Sequence, residues 1–369
     1  MQLSKITASC IMASALLQAE NYVSVEYLQY DESDSRVSVK APSISASYDI
    51  GTDYTIKADF VHDSVSGATP SYLPDSGSGA SSRTNSGDYT HGKQEFDEKR
   101  NAYSLLLTTR FENRDELYTG VDYSRESDFD SKTLSLEYMH YTDASHNRSL
   151  SLGVAYSYNE ILLYDYDTGS GATAKETSQS ISVQAGVTQV LNAKSSVKIA
   201  GFMASDDGYL TNPHSLIVRD YQTDSRLVNE IRPDTRLGYG LDIKYITMLN
   251  DDISYQLGYR FYNDDWDISS HTINNDFYYK LNKKFTFGAG LRYYTQTQAD
   301  FYNGSKDFFT NEVVASSDER LSDFDAFTYK LSVDFRQNDK ISYNLGGQFY
   351  TQSTGLDATM LTTGIKYRY

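Results

Sequence analysis

Arg260 and Arg292 each stand eight residues beyond a polar turn residue, Asp252 and Lys284 respectively. If both turns lie at one end of a sheet, the two guanidinium groups reach the same height. Asp276 falls on the strand between them and Lys330 on the strand beyond, while Asp242 and Lys244 lie on the strand before. At about 4.8 Å per strand, the two arginines stand about 10 Å apart along a wall. A girdle of charge near mid-height in a lumen selects ions by sign, as charged rings do in channels. The same residues also suit a purely structural role, as interior ion pairs that hold the wall together or plug it.

A second group, Arg232, Trp266, His271, Gln296, Gln298, Asp300 and Arg320, sits at strand ends and in connecting segments. Folded together over a mouth, these side chains would bind something polar; the plainer alternative is that they brace the loops against one another. Trp266, within Asn263-Asp264-Asp265-Trp266-Asp267, suits an interfacial anchor or a stacking platform for a ligand. Asp165-Tyr-Asp167-Thr-Gly169 has the alternating carboxylates of a calcium loop but lacks its downstream acidic closure, so it reads as a solvated loop. His271 has Asp264, Asp265 and Asp267 nearby, yet no serine nucleophile elbow or His-x-x-x-His spacing accompanies it. No catalytic residue, metal site or cofactor is assigned, and an outer-membrane enzyme is kept only as a minor alternative.

The elements that must position these residues follow one pattern. From Ile253 to Tyr262, the odd positions Ile253, Tyr255, Leu257, Tyr259 and Phe261 are apolar or aromatic, and the even positions are small or polar. A period of two puts one set on each face of a strand. The pattern recurs from residue 22 to the last residue, which is the signature of a transmembrane antiparallel β-barrel. Counting gives about sixteen strands, with short turns alternating with long loops. With both termini in the periplasm, the long loops lie outside the cell. A Lys or Arg on the lipid face at mid-membrane would cost roughly 2–4 kcal/mol. Lys57, Arg110, Lys198, Lys244, Arg260, Arg292, Lys330 and Lys366 all fall on the opposite face.

Some stretches depart from strict alternation. Val37, Val39 and Ala41 are odd while Ile44, Ala46, Tyr48 and Ile50 are even, which predicts a bulge at Pro42. Residues 64–99 predict the longest irregular loop, with two more over 206–234 and 303–323. The strand beginning at Phe285 is expected to run on to about Phe301.

Composition agrees with a barrel. Tyrosine outnumbers phenylalanine 33 to 16, and rings with an apolar body and polar tip suit membrane interfaces. Residues 1–19 carry Lys5 and then an apolar run, as a secretory signal peptide does, leaving residues 20–369 as one barrel domain. The sole cysteine, Cys10, lies in that leader, so the mature chain would hold no disulfide. A net charge of −17 argues against nucleic acid as a partner.

Several stretches together resemble a bacterial family known as domain of unknown function 3570. They are Gly67-Ala-Thr-Pro70, Gly186-Val-Thr-Gln-Val-Leu-Asn192, Gly208-Tyr-Leu, Arg232-Pro-Asp-Thr-Arg236, Asp264-Asp-Trp-Asp-Ile-Ser-Ser-His-Thr272, Arg292-Tyr-Tyr-Thr-Gln-Thr-Gln-Ala-Asp-Phe-Tyr302 and Ser316-Ser-Asp-Glu-Arg-Leu-Ser322. The resemblance covers most of the mature chain and implies an outer-membrane setting, without a substrate or catalytic residues.

The functional expectation is therefore a porin-like channel or transporter for a small polar solute in the bacterial outer membrane. The alternative is a closed structural or partner-docking barrel of a cell-envelope complex. The expected partners are outer-membrane lipid and, through the terminal strand ending in Tyr369, the barrel-assembly machinery.

Overall fold

The computed structural model describes residues 21–74, 89–165, 170–221, 223, 226–305, 309 and 311–369. The expected signal peptide, with Cys10, lies outside them, as does all but the first residue of the Asp165–Gly169 motif. The strands are β1 (Tyr22–Glu32), β2 (Val37–Ile50), β3 (Tyr54–Pro74), β4 (Tyr89–Arg110), β5 (Glu116–Arg125), β6 (Phe129–Tyr141), β7 (Arg148–Asp165), β8 (Ser170–Asn192) and β9 (Ser195–Gly208). A short pair, β10 (Leu216–Arg219) and β11 (Arg226–Asn229), precedes β12 (Thr235–Met248) and β13 (Ile253–Asp264). Then come β14 (Ser269–Lys280), β15 (Phe285–Gln296), β16 (Phe324–Arg336), β17 (Ile341–Gln352) and β18 (Asp357–Arg368).

Sixteen of these close into an antiparallel barrel in chain order, with β10 and β11 forming a separate hairpin. Closure is made by β1 on β18, from Tyr22 opposite Arg368 to Glu32 opposite Ala358. Closing the sheet removes every strand edge, which lipid requires because it offers backbone groups no hydrogen bonds.

Three of the tight turns share one device. Asn250 accepts the backbone N–H of Asp252 at 2.9 Å and of Ile253 at 2.8 Å. Asn282 and Asn338 do the same for the residues two and three further on. An asparagine carbonyl imitates a backbone turn in this way, and it fixes the register of three hairpins at the end where both chain termini lie.

Outside, the aliphatic residues Leu257, Ile273, Leu291, Leu331, Leu345 and Leu361 are exposed at mid-height. Aromatic pairs flank them at both ends. Phe285 and Phe335 stack at 4.8 Å near the short turns, and Tyr293 meets Phe327 at 5.0 Å near the long loops. Two aromatic girdles around an aliphatic belt are what a bilayer selects. Leu257→Arg should therefore cost about 2–4 kcal/mol, read as a lower urea midpoint for unfolding from vesicles. Gln256→Arg, one residue away but facing Asp276 in the lumen, should leave the midpoint unchanged; equal losses would contradict this facing.

Three expectations need correction. No bulge occurs at Pro42: the pairing of β2 with β3 keeps one register from Val37 opposite Gly67 to Ile50 opposite Tyr54. Instead Val39 turns inward and is buried, as is Val65 opposite it. This end of β2 stands at the outer mouth, where the interior is occupied by protein and Lys40 can face outward. Residues 64–99 are not one irregular loop either, because β3 and β4 stay paired out to Pro74 opposite Tyr89. Above the membrane both faces of a hairpin meet water, so backbone pairing persists while hydrophobic alternation fades. Finally, β15 ends at Gln296, and the chain to Phe301 bends over the mouth.

Candidate functional site

The strands β9, β12 and β13 carry their inward side chains in rungs. Going up the wall come Lys198, Lys244 and Gly258, next Ala200, Asp242 and Arg260, then Phe202, Gly240 and Tyr262, and above them Ala204, Gly238 and Asp264. The glycines make room for rings. A Cβ on Gly240 would stand 2.7 Å from Phe202 Cε1, and one on Gly238 would stand 2.8 Å from Tyr262 Cε2. Phe202 and Tyr262 lie nearly parallel, 6.5 Å apart.

The rings in turn fix the cations. Arg260 Cζ sits 4.4 Å from the Phe202 centroid. The Arg236 guanidinium lies 4.5 Å from the Trp266 ring, and its Nε donates to Asp264 at 2.8 Å. Further round the wall, Lys330 reaches Asp276 at 2.6 Å across Gly290, and Arg292 Cζ lies 5.3 Å from the Tyr294 ring. Arg260 and Arg292 are near enough to repel each other electrostatically.

All six residues of the expected girdle thus face the lumen, in two kinds of setting. Asp276 and Lys330 form an ion pair within the wall. Asp242, Lys244 and Arg260, with Lys198, line a cavity of about 590 Å³.

That cavity is roofed. The segment between β9 and β12 and the segment between β15 and β16 fold over the mouth as one cap, joined by a backbone bridge from Ile231 to Ala315, while Tyr302 bridges to Ser316 within the second segment. Leu210, Trp266, Ile268, Ala299 and Leu321 form one buried cluster, and Ile217, Phe309 and Ala315 form another. Burying this much apolar surface gives the cap a core of its own, worth about 1.5–3 kcal/mol for each large side chain.

Charge fastens it further. Glu230, 1 % exposed, accepts from Arg232 Nε at 2.5 Å, from the Asn212 N–H at 3.1 Å and from the Ser316 hydroxyl. Arg232 also donates to Asp318 at 2.7 Å, which Arg320 grips from the other side. At the rim, Arg36 pairs with Glu319 at 3.0 Å, and His214 meets Asp128 at 2.7 Å. These contacts tie the cap to the turns after β1 and β5, four strands apart round the wall.

Burial opposes ionisation of Asp318, but the Arg320 and Arg232 guanidinium groups outweigh it and hold its carboxyl far below the usual carboxylate range. A depressed folded pKa contributes stability that is present above the unfolded value, about 3.9, and lost as pH falls through the folded one. The cap should stay equally resistant to protease from pH 7 to pH 5 and loosen only below about pH 4. A transition near pH 6 would contradict this.

The mouth residues expected to bind a polar ligand fare differently. Arg232 and Trp266 are buried in the cap, and Gln296 donates to the carbonyls of Arg320 and Ser322 at 3.2 and 2.6 Å. Gln298 and Asp300 are exposed on the cap. Arg320 borders the cavity. Trp266 is neither lipid anchor nor open platform, because its Nε1 donates to the Thr235 carbonyl at 2.9 Å and Phe301 packs edge-on at 5.1 Å. His271 does not join them. It faces outward in the upper girdle, where Tyr259 Oη lies 2.9 Å from its Nδ1 and Phe261 lies 5.3 Å away. Its odd position on β14 dictates this, and the girdle tolerates an imidazole with a phenol partner.

Phe202, Tyr262, Glu230 and the His214–Asp128 contact escaped the sequence reading. For the first two a signal existed: an aromatic on the polar face of a strand, with glycines on its neighbour.

No curated protein matches the sequence. Among solved structures, the siderophore receptor PirA from Acinetobacter baumannii is similar at TM-score 0.45 and 11 % identity, over 90 % of this chain and 53 % of that one. The chain thus spans about half the length of that receptor. The siderophore receptor PirA from Pseudomonas aeruginosa gives 0.44 and 7 %, covering 95 % and 80 %. The CymD monoaromatic hydrocarbon channel gives 0.43 and 10 %, covering 96 % and 89 %. The sequence profile described as protein of unknown function (DUF3570) matches residues 4–365, and the chain, a capped outer-membrane-type β-barrel, belongs to that family.

Proposed function

We propose that this protein is a channel or transporter of the bacterial outer membrane that handles a small polar solute through a mouth closed by its own loops. The observation that carries the reading is the roofed chamber of about 590 Å³, whose lower wall is polar and charged. A sixteen-stranded wall encloses more space than inward side chains fill, whereas small barrels pack theirs shut. The aliphatic belt between aromatic girdles supports a place in the membrane. The terminal strand, ending in Tyr369, is the segment offered to the barrel-assembly machinery.

Planar-bilayer recording tests the reading. The wild-type protein is expected to give small current steps. Arg260→Ala combined with Arg292→Ala should lower its preference for anions. Absence of steps, even from a variant with a loosened cap, would favour the second reading, a closed structural or docking barrel. The buried core of the cap is what supports that second reading.

A further inference from the structure

We propose that the chamber beneath the cap binds a small organic dianion through Lys198, Lys244 and Arg260. The proposal rests on the reading that a solute enters the lumen, and it names the charge class of that solute.

The rung of Lys198 and Lys244 carries the argument. Lys198 and Lys244 stand directly opposite each other on neighbouring strands, a placement that brings Cβ atoms to about 4.5–5.5 Å and destabilises a sheet when the charges are alike. Arg260 enters from the next strand, one rung higher, with its guanidinium laid against Phe202. Stacking on a ring occupies the face of a guanidinium and leaves its edge donors free. None of these three cations forms an ion pair with a described residue, although all three border the cavity.

Elsewhere in the lumen, Arg292 and Lys366 rest singly on the Tyr294 and Tyr22 rings, and other cations are matched. Lys330 has Asp276 at 2.6 Å, Lys57 has Asp59 at 3.2 Å, and Arg100 has Asp63. In the rungs of the proposed site, Asp242 is the carboxylate that faces the three cations, which leaves two positive charges unmet. Glu137 also attracts Lys198, but it stands three strands away on β6 and does not line the cavity. The acids Glu126, Asp128 and Asp206 line the upper part of the cavity, at or just beyond strand ends. An arrangement of like charges that costs the empty barrel stability is offset when a dianion occupies it, and the chamber is of the size that takes small molecules.

The test uses the purified full-length barrel in detergent at low salt, with phthalate and succinate as probes and their uncharged diamides as controls. Both dianions are expected to bind and to raise the melting temperature, while the diamides do neither. Lys198→Gln and Lys244→Gln should each weaken binding at least tenfold. The double variant should melt at or above the wild-type temperature without ligand, since it removes the opposed charges. Binding that is equal for dianions and diamides, or unchanged in both lysine variants, overturns the proposal. So does absence of binding by either dianion. Because no flow is required, a barrel that binds phthalate but passes no current keeps the site and loses the channel, and the converse result does the reverse.

Discussion

Arg232→Ala is expected to open the barrel. The substitution removes the cation that joins Glu230 to Asp318 and strands a carboxylate that is 1 % exposed. Asp318 keeps Arg320, but Glu230 retains only neutral donors, the Ser316 hydroxyl and the Asn212 N–H. Removing one partner of a buried pair costs about 3–5 kcal/mol. The cap can lose that amount without unfolding the wall, because strand pairing continues beneath it. Current steps in planar bilayers should become markedly larger, and protease should cut the cap first. Glu230→Gln added to Arg232→Ala removes the stranded charge and should restore small steps in part. Unchanged currents from a cap that protease does cut would sink the idea that it blocks the mouth.

The second large effect concerns the wall. Arg100 and Asp63 face each other on β4 and β3, where Arg100 Nε donates to Asp63 at 2.6 Å and both side chains are buried. Arg100→Ala should cost about 3–5 kcal/mol by stranding Asp63. The readout is the temperature at which the folded band disappears in a heat-modifiability gel. Replacing both partners together, Arg100→Met with Asp63→Leu, should recover most of the loss, since an apolar pair of similar volume needs no counter-charge. If the double variant melts no higher than the single one, the pair owes its effect to packing and not to charge.

The wall was readable from the sequence because lipid imposes one rule on every strand. Leu257, Leu331 and Leu361 must be apolar wherever they touch acyl chains, so their period survives in the letters. The cap obeys no such rule. Glu230, Asp318 and Arg320 come together from segments about 90 residues apart, and no spacing announces that meeting. Val39 misleads for the same reason: above the membrane an apolar side chain can serve the inside. His271 stands with the mouth group because its stretch lies at a strand end beside Trp266, whereas its position in the alternation already puts it outside. Lys244, Asp242, Arg260, Arg292, Asp276 and Lys330 were placed on the inner face by parity alone. Which of them would be matched depended on register, since only pairing sets Lys330 beside Asp276 and Lys198 opposite Lys244.

Trp266 is the sole tryptophan in the chain, and it lies in the buried cluster of the cap against Arg236 and Phe301. Its fluorescence consequently reports one place. Emission should sit toward the blue while the roof is dry and move to the red when water enters, so the molecule carries an optical gauge of its own mouth that needs no attached dye.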